Sequence, residues 1–119
     1  MTDFSQVFTG LRGIMLPYAQ KLDCKTDRDD ELYVDTRYVL SNKKPLWFGA
    51  VQIKKNYVSY HLMPVYVNPK LLESISPELK KRMQGKSCFN FKSTEASLFK
   101  ELASLTEAGF KDYKKQGYV

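Results

Sequence analysis

The sequence predicts an α+β domain, a two-layer sandwich in which long N- and C-terminal helices cover a mainly antiparallel four-stranded sheet. Three observations lead to this fold class. Helical amphipathic patterns occupy both ends of the chain, segments with a repeat of two residues lie between them, and two helix-start signals interrupt the strands. The expected order is α-β-β-β-α-α-β-α. A chain of 119 residues is expected to form a single domain, 1–119.

The N-terminal helix is predicted to run from about Asp3 to Leu22. Its apolar residues recur at spacings of three and four, so they form one stripe that faces the core. Pro17 is a poor residue for a helix interior, and we therefore expect a kink there or a helix that ends and restarts. The apolar stripe consists of Phe4, Val7, Phe8, Leu11, Ile14, Met15, Tyr18 and Leu22.

Two strands are predicted after a polar, charged segment, DCKTDRDDE, which favours a loop. The first strand, ELYVDTRYVL, alternates with a period of two residues. The second, LWFGAVQIK, begins after Pro45 and is apolar on both faces as far as Val51, which is typical of a central strand. Its alternation predicts that Trp47 shares one face with Gly49 and that Phe48 lies on the other face.

A hairpin-length break at 55–56 leads to the third strand, YVSYHLMPV. Two helix starts follow, in which the capping residues Asn68 and Ser76 each precede a proline. The fourth strand, SCFNFK, directs Phe89 and Phe91 toward the core and precedes the C-terminal helix. The predicted buried stripe of that helix consists of Leu98, Leu102, Leu105 and Phe110, flanked by Phe99 and Tyr113.

The net charge of +6 is unevenly distributed along the chain. Residues 1–40 hold seven acids and five bases, whereas residues 41–119 hold six acids and fourteen bases. A basic surface attracts phosphates and acidic proteins, although ordinary soluble domains often carry one.

The two cysteines, Cys24 and Cys88, lie far apart in sequence and lack the spacing of metal ligands. No apolar run is long enough to span a membrane, and the N-terminus lacks the basic and apolar regions of a signal peptide. We therefore expect a cytoplasmic protein in which both thiols are free and reduced.

The uncovered face of the sheet, or the groove beside the second and third strands, is the first candidate for a ligand site. The second strand is apolar on both faces and lies next to a tyrosine-rich strand that carries the only histidine of the chain. An apolar open face normally needs a ligand, a partner or a second subunit. The candidate residues of this groove are Trp47, Tyr57, Tyr60 and His61.

An acidic run between the N-terminal helix and the first strand is a candidate metal site. Hard and borderline cations prefer several oxygen ligands, but the run lacks the alternating ligands and central glycine of a calcium-binding loop. The alternative is a solvated loop. The candidate ligands are Asp23, Asp27, Asp29, Asp30, Glu31 and Asp35.

A basic cluster surrounds the predicted turn at Gly85 and is a candidate anion or partner patch. Nucleic-acid binding would also need exposed aromatic side chains between the cations. The alternative is a solvated helix face. The candidate residues of this patch are Lys80, Lys81, Arg82 and Lys86.

No catalytic motif is complete in this chain. A single histidine excludes a metal site with two histidine ligands, and neither a Ser–His–Asp nor a Cys–His arrangement follows from the spacing of the residues. The sequence therefore favours a binding domain over an enzyme.

Residues 46–92 resemble the YdhG-like family of small bacterial domains of unknown function. The likeness rests on the aromatic-rich strand LWFGAVQI, the strand YVSYHLMP, the capped helix that ends in LKKRMQGK, and the short strand SCFNF; the long C-terminal helix also fits. The resemblance implies an α+β sandwich with the general layout of frataxin. Some relatives carry an iron-chaperone label, and frataxin-type iron binding is attributed to acidic residues on the first helix and strand. By location, the acidic residues of segment 23–35 are their nearest equivalents here.

The function predicted from the sequence is that of a cytosolic, non-enzymatic binding domain with a small ligand or protein partner at the sheet face. A homodimer would cover this face equally well. One alternative is iron or divalent-metal handling through the acidic segment, in which case iron would be the cofactor. Another is anion or nucleic-acid binding through the basic patch 80–92; nucleic acid is a less favoured partner, and no membrane association is expected.

Overall fold

The computed structural model describes residues 4–119, which form an α+β fold with an antiparallel sheet and a helix at each end. This confirms the predicted fold class, but the sheet has six strands rather than four. A 3₁₀ helix at Pro69–Ser74 adds to four α-helices. The elements are α1 Ser5–Ala19, β1 Asp23–Arg28, β2 Glu31–Val39, β3 Pro45–Ile53, β4 Val58–Leu62, α2 Met63–Val67, α3 Pro77–Lys80, β5 Met83–Gln84, β6 Cys88–Phe91 and α4 Ala96–Lys115.

The strand order in the sheet is β1-β2-β3-β4-β6-β5, and all neighbouring strands are antiparallel. Helices α1 and α4 contact each other and cover one face of this sheet. Side chains on that face are fully buried; they include Leu32, Val51, Tyr60 and Phe89 on four neighbouring strands. The opposite face remains partly exposed, and we call it the open face.

Strand β1 corrects the prediction of a loop between α1 and the first strand. It pairs with β2 from Asp23 to Arg28, with a register shift near Lys25. Because β1 is an edge strand with mostly exposed side chains, it has no apolar alternation that could have marked it in the sequence. The carboxylate of Asp27 accepts two hydrogen bonds from Arg12 Nη2, at 2.8 and 2.9 Å, and these tie the strand to α1.

Strand β4 ends at Leu62, earlier than predicted, because Pro64 lies in the first turn of a short helix, α2. Three helical segments rather than two therefore separate β4 from β5. Strand β5 has only two residues, which is too short to leave an alternating pattern.

A bulge in β3 overturns the prediction that Trp47 shares a face with Gly49, whereas Trp47 and Phe48 do lie on opposite faces as predicted. Val34 pairs with Gly49, but its neighbour Asp35 pairs with Trp47, so β3 has one residue more than β2 at this point. Phe48 is consequently buried on the helix-covered face, whereas Trp47 lies on the open face. Bulges re-aim side chains in this way, and a strict period of two cannot anticipate them.

Helix α1 ends at Ala19 rather than Leu22 and contains Pro17 in its last turn. The predicted start at Asp3 lies outside the described residues. Helix α4 buries Leu98, Leu102 and Leu105 as predicted, and its remaining buried residues include Phe99 and Tyr113.

The predicted cap at Ser76 is confirmed, because its Oγ accepts a hydrogen bond from the Leu79 amide at 3.2 Å. The predicted cap at Asn68 is wrong. Its side-chain amide instead donates to Asp112 at 3.0 Å and links the 3₁₀ region to α4. Within the described part of the chain, no helix combines the length and apolarity needed to cross a membrane.

Candidate functional site

An aromatic cluster lies at the centre of the open sheet face. Tyr33 on β2 stacks on Trp47 on β3, with ring centroids 5.4 Å apart and an interplanar angle of 14°. His61 on β4 lies on the same face, 5.3 Å from the Trp47 ring. These residues are on three neighbouring strands and are partly buried, and the Trp47 ring contacts both of the others.

A histidine and a cysteine meet beside this cluster. His61 and Cys88 are paired across β4 and β6, and the sulfur lies 3.8 Å from His61 Nε2. Burial lowers the pKa of His61 and raises the pKa of Cys88; the charge of Lys54 lowers both. The thiol and the imidazole are therefore both held in their neutral forms, which is the opposite of an activated thiolate–imidazolium pair.

This pairing could not be predicted from the sequence, because it depends on strand register between residues 27 positions apart. Only the order of strands in the sheet could have indicated it. The structure thus places Trp47 and His61 together, as predicted for the ligand groove, and adds Tyr33 and Cys88 to them.

Tyr60, another predicted groove residue, lies on the opposite side of the sheet. It is fully buried, and its hydroxyl is 2.6 Å from the hydroxyl of Thr106 on α4. Its side chain belongs to the core and is separated from Trp47 and His61 by the sheet itself.

Tyr57, the fourth predicted groove residue, lines a cavity at the edge of the sheet, which we call the sheet-edge cavity. The cavity has a volume of about 460 Å³, within the range of about 300–1,000 Å³ found for ligand pockets. It lies where the beginning of β4, the end of β6 and the two-residue strand β5 come together. Its lining residues are Tyr57, Lys81, Arg82, Met83, Gln84, Asn90, Lys92, Ser93 and Glu95.

The sheet-edge cavity is positively charged, because it contains three cations and one carboxylate. Arg82 donates to both Glu95 oxygens, at 2.6 and 2.8 Å, and this bidentate pair raises the pKa of Arg82. Lys81 and Lys92 have no ion-pair partner among the described residues. Two lysines are therefore available to an anion, while the arginine is held in place by the glutamate.

Hydrogen-bonding side chains connect the sheet-edge cavity to the aromatic cluster. The Asn90 amide donates to Gln84 at 2.9 Å inside the cavity, and the Cys88 thiol contacts Asn90 at 3.3 Å. Cys88 in turn contacts His61. The cavity and the cluster therefore form one continuous surface on the open side of the sheet.

The predicted basic patch is divided by the fold. Lys81 and Arg82 line the sheet-edge cavity, whereas Lys80 and Lys86 do not. The ammonium group of Lys86 instead lies 5.9 Å from the ring centre of Tyr66. Lys81 and Lys92 inside the cavity can therefore be compared directly with Lys80 and Lys86 outside it.

The acidic segment 23–35 is largely neutralised by neighbouring bases. Ion pairs join Asp23 to Lys25 at 2.8 Å and Asp27 to Arg12 at 2.8 Å. Arg28 lies 2.6 Å from Glu31 and 3.6 Å from Asp30, and Glu31 also accepts a hydrogen bond from Gln52. Asp29 lines a cavity of about 630 Å³ together with Arg12, Asp27 and Arg28.

Asp35 differs from the other carboxylates of this segment because only 7% of its surface is exposed. Burial raises its pKa, and nearby Lys25 opposes the increase. No group of three or more histidine, cysteine, aspartate or glutamate side chains within residues 4–119 has the arrangement of a metal site.

Comparison of the chain with protein-family models, with curated proteins and with solved structures finds no significant match. The functional argument therefore depends on the site itself.

Proposed function

We propose that this protein is a non-enzymatic binding domain that holds a small, polar anionic ligand in the sheet-edge cavity. The observation that carries this proposal is the pair of unpartnered lysines, Lys81 and Lys92, in a concave site at the edge of the open sheet face. Phosphate or carboxylate groups suit such a site because ammonium groups donate charge-assisted hydrogen bonds to them.

The remaining lining residues favour a polar ligand. Gln84, Asn90 and Ser93 supply amide and hydroxyl groups, and Tyr57 supplies an aromatic ring with a hydroxyl group. The aromatic cluster beside the cavity would contact a portion of the ligand that extends across the sheet face. A non-enzymatic role agrees with the raised pKa of Cys88, since a protonated thiol is not poised to act as a nucleophile at neutral pH.

The test is a calorimetric titration of the protein with inorganic pyrophosphate and with citrate at low ionic strength. We expect saturable binding of at least one of them, and we expect Lys81→Gln with Lys92→Gln to weaken it by about tenfold or more. The matched control is Lys80→Gln with Lys86→Gln, which removes the same charge outside the cavity. Equal losses in the two double variants would mean that binding depends on net charge and would overturn the proposal.

Nucleic-acid binding remains a weaker prediction. Trp47 and Tyr33 do lie on the open face, but they stack on each other, so the two ring faces in contact are not free to stack on bases. A single-stranded oligonucleotide bound through the basic patch would be weakened similarly by both lysine pairs, with a steep dependence on salt. The affinity for a ligand in the sheet-edge cavity would instead fall in the Lys81 and Lys92 variant and not in the Lys80 and Lys86 variant.

Iron binding by the acidic segment also stays a prediction. Its test is an anaerobic titration of the metal-free protein with ferrous iron, with magnesium as the control ion. The hypothesis predicts saturable, iron-selective binding that is weakened by Asp29→Asn with Asp30→Asn. Equal heats for the two ions would reject it.

A further inference from the structure

A second cavity lies at the other end of the strands, where α1, β2 and α4 end. It has a volume of about 520 Å³, and none of its lining residues belongs to the predicted site residues. Three aromatic side chains and three cations make up most of its wall. These residues are Lys21, Arg37, Tyr38, Phe110, Lys114 and Tyr118.

The end of α4 builds one wall of this C-terminal cavity. Gly117 adopts a φ of +85°, and its amide donates to the Lys114 carbonyl at 3.1 Å. The Tyr118 amide donates to the Tyr113 carbonyl at 2.9 Å, which completes a Schellman motif. The rings of Tyr118 and Tyr113 are 5.4 Å apart, the apolar contact that usually accompanies this motif. A glycine in the left-handed region therefore fixes Tyr118 in the wall.

The aromatic wall is formed by residues from separate elements. Tyr38 on β2 lies 4.8 Å from Tyr118 in an edge-to-face arrangement and is 41% exposed. Phe110 on α4 lies 5.1 Å from Tyr18 on α1. The ammonium group of Lys21 is 5.6 Å from the Phe110 ring centre, so a cation already contacts this wall.

The three cations of the cavity have no ion-pair partner among the described residues, and no aspartate or glutamate lines the cavity. Lys21 and Lys114 lie near the C-terminal ends of α1 and α4, where each helix dipole contributes about half a negative charge. The two helix ends thus complement Lys21 and Lys114. Arg37, at the end of a strand, has no helix dipole to complement.

We infer that the C-terminal cavity binds a planar aromatic compound that carries a phosphate or carboxylate group. The rings of Tyr38, Phe110 and Tyr118 would contact the aromatic system, and Arg37 and Lys114 would contact the anion. This ligand class differs from that of the sheet-edge cavity, where one tyrosine supplies the only aromatic ring.

The test uses two pairs of probes that differ in charge: flavin mononucleotide with riboflavin, and 2-naphthoate with 2-naphthol. Binding is measured by equilibrium dialysis and, for the flavins, by quenching of their fluorescence. We expect saturable binding of at least one charged probe, with its uncharged counterpart weaker by about tenfold or more, the effect of losing one charge-assisted contact. Inorganic phosphate alone is expected not to compete at comparable concentration.

The variant Arg37→Gln with Lys114→Gln should reduce the affinity for the charged probe to that of its uncharged counterpart. Both side chains are exposed, so the substitutions do not disturb the core. Lys44→Gln with Lys115→Gln removes the same charge outside the cavity and should leave binding intact, as should Lys81→Gln with Lys92→Gln. The inference is overturned if neither charged probe binds or if charged and uncharged probes bind equally. It is also overturned if Arg37→Gln with Lys114→Gln and its control, Lys44→Gln with Lys115→Gln, weaken binding equally.

Discussion

The buried hydroxyl of Tyr60 illustrates how residue-scale hydrogen bonding determines which substitutions the core tolerates. Thr106 donates its only hydroxyl proton to the Leu102 carbonyl at 2.8 Å, so Tyr60 must donate to Thr106. Tyr60→Phe removes a donor and leaves the Thr106–Leu102 bond in place. Thr106→Val removes the acceptor and leaves the Tyr60 hydroxyl buried without a partner.

We therefore expect Thr106→Val to cost more stability than Tyr60→Phe. The free energy of unfolding should fall by about 1 kcal/mol for Tyr60→Phe and by about 2–3 kcal/mol for Thr106→Val, because an orphaned buried donor carries its full desolvation penalty. Urea denaturation of the two variants measures both values. The reverse order would show that the hydrogen bonds run in the other direction.

His61 predicts a pH dependence of stability. Its pKa in the folded protein is lowered by burial and by Lys54, so the unfolded chain takes up a proton first as the pH falls through about 6.5. The free energy of unfolding contributed by His61 should therefore decrease from that pH down to the folded-state pKa, and it should not vary above about pH 7.5. His61→Gln should remove this dependence.

The comparison of the wild type with His61→Gln isolates histidine titration, because His61 is the only histidine of the chain. Urea denaturation of the wild type and the variant at pH 7.5 and pH 5.5 gives the difference directly. A wild type that becomes more stable relative to the variant on acidification would show that the imidazole is stabilised in its charged form, contrary to the lowering of its pKa by burial and by Lys54.

At the scale of the element, two glycines with opposite surroundings test how α1 packs on the sheet. A Cβ at Gly49 on β3 would lie 2.5 Å from the His61 carbonyl oxygen and 2.5 Å from Met15 Cε. A Cβ at Gly13 on α1 would meet nothing within 4 Å. Gly49 therefore allows β3 to approach β4 and α1 closely, whereas Gly13 occupies a helix position that has room for a side chain.

We expect Gly49→Ala to destabilise the protein by about 3 kcal/mol, since a backbone carbonyl cannot move aside as a flexible side chain can. Gly13→Ala should stabilise it by about 0.5–1 kcal/mol, because alanine restricts the unfolded chain and favours helix. Thermal denaturation of the two variants should shift the midpoint in opposite directions. Equal, small shifts of the midpoint would mean that α1 does not pack closely against β3 at Gly49.

The sequence predicted the helices and strands whose side chains are buried on one face or on both. Strands β2 and β3 and the amphipathic helix α4 carry strong apolar patterns because the core selects their residues. Strand β1 was not predicted because it is held by backbone pairing to β2 and by charged contacts such as Arg12–Asp27, neither of which produces a period of two. The bulge at Trp47 was missed for a related reason, as it depends on pairing with β2.

Candidate sites were predictable only where their residues are close in sequence. Lys81 and Arg82 were identified as neighbours, but their association with Tyr57 and Lys92 requires β4, β5 and β6 to meet at one edge. The C-terminal cavity combines three elements and the end of the chain after α4, so no local pattern indicated it.

On the scale of the whole molecule, the sheet-edge cavity and the C-terminal cavity are both cationic and lie at opposite ends of the strands. Because the lysines of the sheet-edge cavity are solvent-accessible, binding of a small anion there should weaken as salt is added. We expect the pyrophosphate affinity to fall between 20 and 200 mM salt, roughly in line with the loss of one or two ionic contacts. An affinity that does not change with salt would argue against lysine-mediated binding.

The most direct test of the central claim is to map the binding of pyrophosphate onto the backbone amides by nuclear magnetic resonance. If the sheet-edge cavity holds the anion, the largest shift changes should fall on Tyr57, Gln84, Asn90 and Ser93 and on the amides around Lys81 and Lys92. Changes centred on segment 23–35, on Lys86 and Tyr66, or on the C-terminal cavity would contradict the account.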